Sequence, residues 1–154
     1  MTKSNSSCPF LLKGNNMPKL KIFPSDSIWS KYIRTRDNWT CQRCDKKYAP
    51  PTSALHCSHF WSRGAWSVRF DEDNCQALCY GCHSYLGGNP QEHREFILDK
   101  LGQERFDALQ KRRNTALKSG QKKYLLSKEF RKEVQLMLDN LNLKKSEDFY
   151  DYLD

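Results

Sequence analysis

Two short cysteine segments decide the fold of this chain: Cys41-Gln42-Arg43-Cys44 and Cys79-Tyr80-Gly81-Cys82. Each is a CxxC pair, the spacing with which two thiolates on one tight turn bind a single metal ion. Residues 45–78 separate the pairs, a longer gap than in simple four-cysteine zinc modules. The gap is long enough for a β-hairpin. We therefore predict that one tetrahedral Zn²⁺, bound by all four cysteines, closes this hairpin against a helix that begins near Cys82. The alternative is four buried thiols without a metal.

The remaining cysteines favour a metal over disulfides. The chain has seven cysteines, and an odd number in a disulfide framework leaves one thiol over and requires an oxidising compartment. The cluster Pro9-Phe10-Leu11-Leu12 is too short for the apolar core of a signal peptide. No apolar run approaches the roughly 20 residues that span a bilayer. We therefore expect a cytoplasmic protein without a membrane partner, in which Cys8, Cys57 and Cys75 are free thiols.

The composition describes a small, basic protein with little apolar core. The 154 residues are 38% hydrophobic and carry a net charge of +8, with a mean hydropathy of −0.85 and a pI near 9.2. This length suits one ordinary domain, and the positive charge suits a polyanion such as a nucleic acid. Residues 111–133 are the most basic stretch, with nine Lys or Arg and two Glu.

Local sequence patterns predict a mostly helical α+β chain. Residues 1–24 are rich in Ser, Asn, Gly and Pro and predict a loosely ordered arm. A helix capped by Ser25 or Asp26 should follow. Apolar periodicity, Pro90 and Gly102 predict further elements: helices over about 26–37, 80–86, 90–101, 103–113 and 127–141, and strands over 55–60 and 66–70. The tail, 146–154, is acidic.

The histidines between and beside the cysteine pairs suggest hydrolytic chemistry. His56 and His59 lie on the first predicted strand, and His83 directly follows the last cysteine of the second pair. Phosphodiester hydrolysis needs a base to activate water and a cation on the phosphate and leaving oxygen. A zinc-closed corner would bring strand and helix together, so a strand histidine can act as the base while the helix histidine holds a divalent ion. The alternative is that each histidine is structural or supports a zinc ligand.

The order of these residues resembles a known nuclease motif. Cys41-x-x-Cys44, His59, Asn74 and Cys79-x-x-Cys82-His83 together are similar to the HNH (ββα-metal) endonuclease motif on a treble-clef zinc core. The surrounding sequence is closer to the phage NinG/Rap recombination nucleases, in segments 32–37, 64–65, 69–79 and 86–89. The resemblance covers about residues 28–113.

The resemblance implies a role for each motif residue. His59 would be the general base, Asn74 would hold the hairpin loop and the base in place, and His83 would ligate the catalytic metal. Ser58 stands where HNH enzymes commonly carry an Asp or His ligand, and NinG-like proteins carry an acid at the position of His56. Since positions 56 and 59 of a regular strand point to opposite faces, His56 should ligate only through a bulge or other irregular geometry.

The remaining expectations concern ions and DNA. No histidine or acid stands four residues after His83, where Gly87 is found. A ligand-poor site favours a catalytic Mg²⁺ or Mn²⁺ that keeps its waters, in addition to the structural Zn²⁺. We expect DNA contacts from basic residues near this corner and in the basic stretch: Arg36, Arg63, Arg69, Lys111, Arg112 and Arg113.

These observations give a four-part chain: the arm 1–24, an HNH nuclease core 25–113, a basic helical extension 114–145 and the acidic tail 146–154. The predicted function is a metal-dependent DNA endonuclease of phage-type recombination or repair, in the bacterial cytoplasm if phage-encoded. The resemblance implies branched or single-strand-containing DNA as substrate, which would suit a homodimer although no residues mark a dimer face. The alternative is a non-catalytic zinc DNA-binding module with a degenerate HNH site, for which Ser58 is the best argument.

Overall fold

The computed structural model describes residues 20–150, and side chains as far as residue 145. The described part is mostly helical α+β, as predicted. The predicted arm up to residue 19 with Cys8, and the side chains of the acidic tail, lie outside it. The elements are six helices and two strands: α1 (Pro24–Arg36), β1 (Leu55–His59), β2 (Cys75–Cys79), α2 (Tyr80–Gly88), α3 (Pro90–Leu101), α4 (Gln103–Asn114), α5 (Gln121–Leu125) and α6 (Lys128–Tyr150).

Helix α1 begins slightly earlier than predicted because of its first turn. Pro24 suits the first helical position, where its missing N–H costs no hydrogen bond. The Asp26 carboxylate accepts the backbone N–H of Phe23 at 2.7 Å. Asp26 therefore stabilises the helix start from the third helical position, and neither it nor Ser25 is the cap residue itself.

Helix α6 packs along α1 and completes one of the two cores. The side chains in this core are buried and come mainly from these two helices and from β2: Trp29, Tyr32, Ile33, Cys75, Val134 and Leu138. The basic stretch therefore continues into a helix that shares a core with the start of the described chain. In the part of the chain that the structure describes, no helix is long and apolar enough to cross a membrane.

The hairpin between the cysteine pairs differs from the prediction. Strand β1 pairs antiparallel with β2, which places His59 opposite Cys75. The return strand predicted over 66–70 is wrong: Trp66–Val68 forms a 3-10 turn. In this segment Arg69 is buried, and its guanidinium donates to the backbone carbonyls of Arg63 and Lys21, which holds the chain in a turn. A buried arginine leaves no signal in a hydrophobic pattern.

The second core lies between the hairpin, α2 and the first cysteine turn. Its buried members are Cys41, Leu55, Ala77, Leu78, Cys82 and Leu86. The first cysteine turn is attached to the sheet by the Gln42 N–H, which donates to the Ala77 carbonyl at 2.8 Å. Helix α2 continues through Gly87 and Gly88, where the sequence predicted its end, and stops at Asn89. This core positions β1 and α2 side by side.

Candidate metal centre and active site

The four cysteines of the CxxC pairs converge on one point. Their sulfur atoms all lie within 4.8 Å of one another, and the Cys44 and Cys79 sulfurs are 3.8 Å apart. Zn–S bonds of about 2.3 Å in a tetrahedron place sulfurs about 3.8 Å apart. None of the described cysteines is in a disulfide. The cluster is therefore able to hold a metal ion such as zinc.

Local backbone structure builds both halves of this cluster. In the first half, the Asp45 N–H donates to the Cys41 carbonyl at 2.9 Å, and Asp45 has a φ of 57°. In the second half, Cys79 ends β2 and Cys82 lies in the first turn of α2. The two turns therefore bring the two thiol pairs together, so that each pair can form one of two opposite edges of a tetrahedron.

The electrostatics of the cluster also favour a cation. Burial, opposed by Arg43 and assisted by hydrogen bonds with the three neighbouring thiols, raises the pKa of Cys82 to about 12. Burial also acts to raise the pKa of Cys79, but the backbone N–H of Cys82 and the surrounding thiols outweigh it and lower this pKa to about 7. A divalent metal that binds the cluster displaces the thiol protons and neutralises the thiolates.

His56 and His83 form a pair that points its ring nitrogens at a common position. The two Nδ1 atoms are 3.0 Å apart, and the rings are perpendicular at 89°. Two nitrogens bound to one metal at about 2.1 Å in adjacent positions also lie about 3.0 Å apart. The separation therefore fits shared coordination of one ion.

No bulge in β1 is needed to bring His56 to His83, and the role of His56 as a metal ligand stays a prediction. The register of β1 is unbroken, with His56 opposite Leu78, and the side chain reaches His83 because α2 covers that face of the hairpin. Burial, followed by the charges of His56, His59 and Arg63, lowers the pKa of His83. A lowered pKa keeps the imidazole neutral, which is the form that binds metal ions.

His59 lies on the other face of β1 and is held through one ring nitrogen. Its Nε2 is 3.1 Å from the Arg69 carbonyl oxygen. A carbonyl only accepts hydrogen bonds, so Nε2 carries the proton and Nδ1 keeps a lone pair. Burial acts to lower the pKa of His59, but the Cys75 thiol and the Arg69 carbonyl outweigh it, and the pKa is raised overall. The neutral ring is thus set up to accept a proton at Nδ1.

The three histidines meet at one cavity of about 480 Å³. His56 and His83 line it on the α2 side and His59 on the loop side. Arg63, from the loop after β1, forms part of the same wall. A cavity of this kind brings a candidate base, a candidate cation site and a positive charge to one reacting group.

Asn74 is fully buried and spans the loop that carries Arg63. Its Oδ1 accepts the Trp61 N–H at 2.7 Å, and its Nδ2 donates to the carbonyls of Trp61 and Val68, both at 2.9 Å. The amide therefore fixes both sides of the loop and replaces the missing strand pairing. This geometry suits the loop-holding role that the sequence resemblance implied for Asn74.

Two arginines that were expected to contact DNA make hydrogen bonds to other residues of the fold. Arg69 is 1% exposed, with two hydrogen bonds to the Asp26 carboxylate at 2.9 and 2.6 Å. Arg36 donates to the carbonyls of Glu72 and Cys75 at 2.8 and 2.7 Å and to the Asp37 carboxylate. Both guanidiniums therefore have partners within the fold, and contact of these two arginines with DNA stays a prediction.

The three residues of the basic stretch that were expected at DNA differ in their contacts. Arg112 is held by the Asp71 and Asp73 carboxylates, with hydrogen bonds of 2.6 and 2.8 Å, so it fixes α4 to the turn before β2. Lys111 is exposed. Arg113 lies over the Trp61 ring, 5.0 Å from its centroid. Lys111 and Arg113 therefore remain able to meet a polyanion.

The sequence analysis missed two residues near the site. Arg34 lines the same cavity as the histidines and donates to the Thr52 carbonyl at 2.9 Å. His93, buried on α3, lines an adjacent cleft with His59 and His83. His93 shares the buried face of α3 with Ile97 one turn later, and that four-residue spacing is a signal that would have placed it. For Arg34 the sequence contains no comparable signal.

A comparison with protein families gives a match over the part of the chain that contains this site. A family model described as bacteriophage lambda NinG protein matches residues 20–141. The match includes both cysteine pairs and all three cavity histidines, and it extends beyond residue 113 into α6. No curated protein matches the chain, and no solved structure does.

Proposed function

Since this chain belongs to the bacteriophage lambda NinG protein family, which implies a function in phage recombination, we propose that it is a metal-dependent DNA endonuclease. The observation that carries the proposal is the 3.0 Å approach of the His56 and His83 Nδ1 atoms beside a third histidine. The first cysteine turn, the hairpin and α2 would then form the treble-clef, ββα-metal core of an HNH nuclease.

His56 and His83 would hold the catalytic ion between β1 and α2. When bound there, a divalent cation would supply positive charge to the scissile phosphate and to the leaving oxygen. Imidazole nitrogen is a softer ligand than carboxylate oxygen and suits Mn²⁺ better than Mg²⁺. We therefore expect Mn²⁺ to support the faster reaction.

His59 would act as the general base through Nδ1. As it takes a proton from the attacking water, its Nε2–H remains bonded to the Arg69 carbonyl, which stabilises the charged ring. The ion pair of Arg69 with Asp26 fixes the turn that presents this carbonyl. A base that is oriented through one ring nitrogen and takes the proton at the other has the arrangement that general base catalysis requires.

Arg63 and Arg34 would bind the phosphate. Both line the cavity, and the charge of Arg63 acts on the pKa of both His59 and His83, so it lies near the reacting centre. Charge-assisted hydrogen bonds from guanidinium to phosphate position the scissile group. Asn74 would keep the loop of Arg63 in the required shape.

The Arg113 and Trp61 pair supports DNA containing a single strand as the substrate class. An aromatic ring beside a guanidinium stacks on unpaired bases and follows the backbone by charge. The net charge of +8 adds sequence-independent attraction. The proposed substrates are therefore branched duplexes, flaps and other structures with unpaired bases.

A second candidate is a zinc module that binds DNA without cutting it. Ser58 favours it, because this residue stands where HNH enzymes commonly have a ligand, and its Oγ is buried without a hydrogen-bond partner. A degenerate site of this kind would bind DNA independently of Mn²⁺.

The experiment is a cleavage panel with the full chain. Linear duplex, single strand, flap and four-way junction are incubated with Mn²⁺, with Mg²⁺ and with chelator. The proposal expects cleavage of the flap and junction with Mn²⁺, slower cleavage with Mg²⁺ and none with chelator. Binding of all four substrates with no cleavage under any metal would favour the binding module.

A further inference from the structure

A second group of soft ligands lies within the described chain, apart from the four-cysteine cluster. One ligand atom from each of Cys57, His59 and Cys75 lies within 4.8 Å of the others. Cys75 is directly opposite His59, and Cys57 is two residues before His59. The three side chains therefore share one face of the hairpin. The four-cysteine cluster uses the other end of β2, at Cys79.

We propose that Cys57, His59 and Cys75 form a second metal site, which binds a thiophilic divalent cation such as Zn²⁺ and thereby inhibits the protein. The binding part of this proposal stands on the ligand geometry alone. The inhibition part rests on the proposed function, because it requires His59 to be the base.

The donor set has the chemistry of a zinc site. Two thiolates and one imidazole leave a fourth position open, as in zinc sites with three protein ligands. Two thiolates also neutralise the charge of Zn²⁺, which lowers the cost of placing the ion in a buried position. Because Cys57 and His59 line the solvent-connected cavity, a water molecule has access to the fourth position.

Two of the three ligands, His59 and Cys75, already have a supporting contact. The Nε2–H of His59 donates to the Arg69 carbonyl, the usual support of a metal-binding histidine, and this leaves Nδ1 as the ligand atom. The Trp29 indole N–H donates to the Cys75 sulfur at 3.3 Å. The same sulfur lies 4.0 Å from the Arg69 carbonyl oxygen, so Cys75 and His59 are both held at this turn.

The register argues against a disulfide between the same two cysteines. Cys57 is opposite Ala77, so Cys57 and Cys75 are diagonal neighbours. Diagonal positions are about 7–8 Å apart, beyond the usual span of a disulfide. Sulfurs that share a zinc ion need to approach only to about 3.8 Å. A shared ion therefore fits this separation better than an S–S bond.

Occupation would remove the base from the reaction. The lone pair that ligates the ion is the Nδ1 lone pair that would accept the proton of water. Mg²⁺ and Mn²⁺ prefer oxygen ligands and leave thiolates free, whereas Zn²⁺ binds them. With two thiolates in place of four, this site should fill only after the four-cysteine cluster.

Cobalt binding tests the site without any DNA. Zinc-loaded full-length protein is titrated with Co²⁺ under reducing conditions, and thiolate-to-cobalt charge-transfer absorption is recorded while zinc retained in the same sample is measured. We expect one equivalent of Co²⁺ with this absorption in the parent and in His83→Ala, and loss of the absorption in Cys57→Ser. Absence of the band in the parent, or an unchanged band in Cys57→Ser, would overturn the proposed site.

A second measurement tests the inhibition. Cleavage supported by Mn²⁺ is followed as Zn²⁺ is added, and each variant is compared with its own rate without Zn²⁺. Cys57→Ser should require at least about tenfold more Zn²⁺ for half inhibition, because one of three ligands is lost. Equal sensitivity of parent and variant would overturn the inhibitory role. If cobalt binds as expected but no DNA is ever cut, the metal site stands and the proposed nuclease fails.

Discussion

A single backbone carbonyl determines which nitrogen of His59 is free. The Arg69 carbonyl oxygen accepts a hydrogen bond from the Nε2–H of His59. The Arg69 side chain is itself fixed by the buried carboxylate of Asp26. The side chains of this ion pair are only 1% and 6% exposed. The pair therefore links the start of α1 to the turn that orients the proposed base.

Breaking that ion pair should destabilise the fold. Asp26→Asn leaves the Arg69 charge buried without its partner, and such changes typically cost about 3–5 kcal/mol. Urea unfolding followed by circular dichroism measures the difference. Asp139→Asn, at an exposed position of α6, is the control and should change stability by less than about 0.5 kcal/mol. Equal stability of both variants would show that the buried pair contributes nothing.

The two histidines that face each other should act as one metal site. His56→Ala and His83→Ala should each raise the Mn²⁺ concentration needed for half-maximal cleavage, by roughly 10- to 100-fold, since each removes one of two protein ligands. Both should keep the zinc content of the parent, because the cysteine cluster is untouched. A His56→Ala protein with the parent's Mn²⁺ dependence would remove His56 from the site.

Residue types and spacing were a good guide to which site residues lie close together. They were a poor guide to which arginines have no partner within the fold. The cysteine pairs and His83 could be placed from the sequence because CxxC spacing constrains the backbone tightly. Arg36 and Arg69 could not, since the sequence does not show that Asp26, Asp37 and several carbonyls lie within reach of them. The same holds for Arg112 and its two acidic partners.

Among the elements, the hairpin and α2 are the ones that depend on the cysteine cluster. This core buries few large aliphatic side chains and includes Cys41 and Cys82 among its members. If the cluster holds zinc, metal binding should supply a large part of its folding free energy, on the order of 10 kcal/mol for structural zinc sites.

Removing the cluster should therefore unfold this part of the chain. Cys41→Ser and Cys79→Ser should give insoluble protein or protein without cooperative unfolding, whereas Cys57→Ser should unfold like the parent. Elemental analysis and thermal unfolding measure both. Well-folded parent protein without stoichiometric zinc would contradict a structural zinc.

Helix α6 supplies the other core, and its two faces differ sharply. Leu138 is 1% exposed and Leu136 is 61% exposed. Leu138→Ala should cost about 2–5 kcal/mol of unfolding free energy through lost burial and a cavity. Leu136→Ala, the matched control, should stay within about 0.5 kcal/mol of the parent. Similar losses for both would contradict the packing of α6 on α1.

The apolar periodicity of the sequence predicted the helices, but it placed the second strand of the hairpin at 66–70 instead of 75–79. The predicted bounds of α3 and α4 agree with the structure within a residue, because Pro90 and Gly102 mark their ends. The strand predicted over 66–70 does not form. The large residues in this segment do not alternate between two faces of a sheet, because Trp66 packs against Arg69. The strand that pairs with β1 is formed by residues 75–79, although this segment begins and ends with a cysteine.

For the whole molecule, the distribution of free positive charge should govern DNA binding. The net charge is +8, and Arg36, Arg69 and Arg112 are cations that internal ion pairs hold. Lys111 and Arg113 are on the same helix as Arg112 but remain outside these pairs. Arg113 lies over the Trp61 ring, and Lys111 is exposed.

The salt dependence of DNA binding should report these two residues. Each phosphate contact adds about −0.9 to the slope of log K against log salt on duplex DNA. The double variant Lys111→Ala/Arg113→Ala should therefore flatten the slope by about 2, as measured by fluorescence anisotropy over a salt series. Lys100→Ala, at the far end of α3, should leave it unchanged. An unchanged slope in the double variant would remove these residues from the binding surface.

The measurement that tests the central claim most directly is single-turnover cleavage of a flap substrate by His59→Ala in saturating Mn²⁺. A general base acts during the reaction and contributes little to ground-state binding. The account predicts a rate about 10²- to 10⁴-fold below the parent, with DNA affinity, zinc content and thermal unfolding nearly unchanged, and no rescue by more Mn²⁺. Cleavage by His59→Ala at the parent's rate would contradict the account.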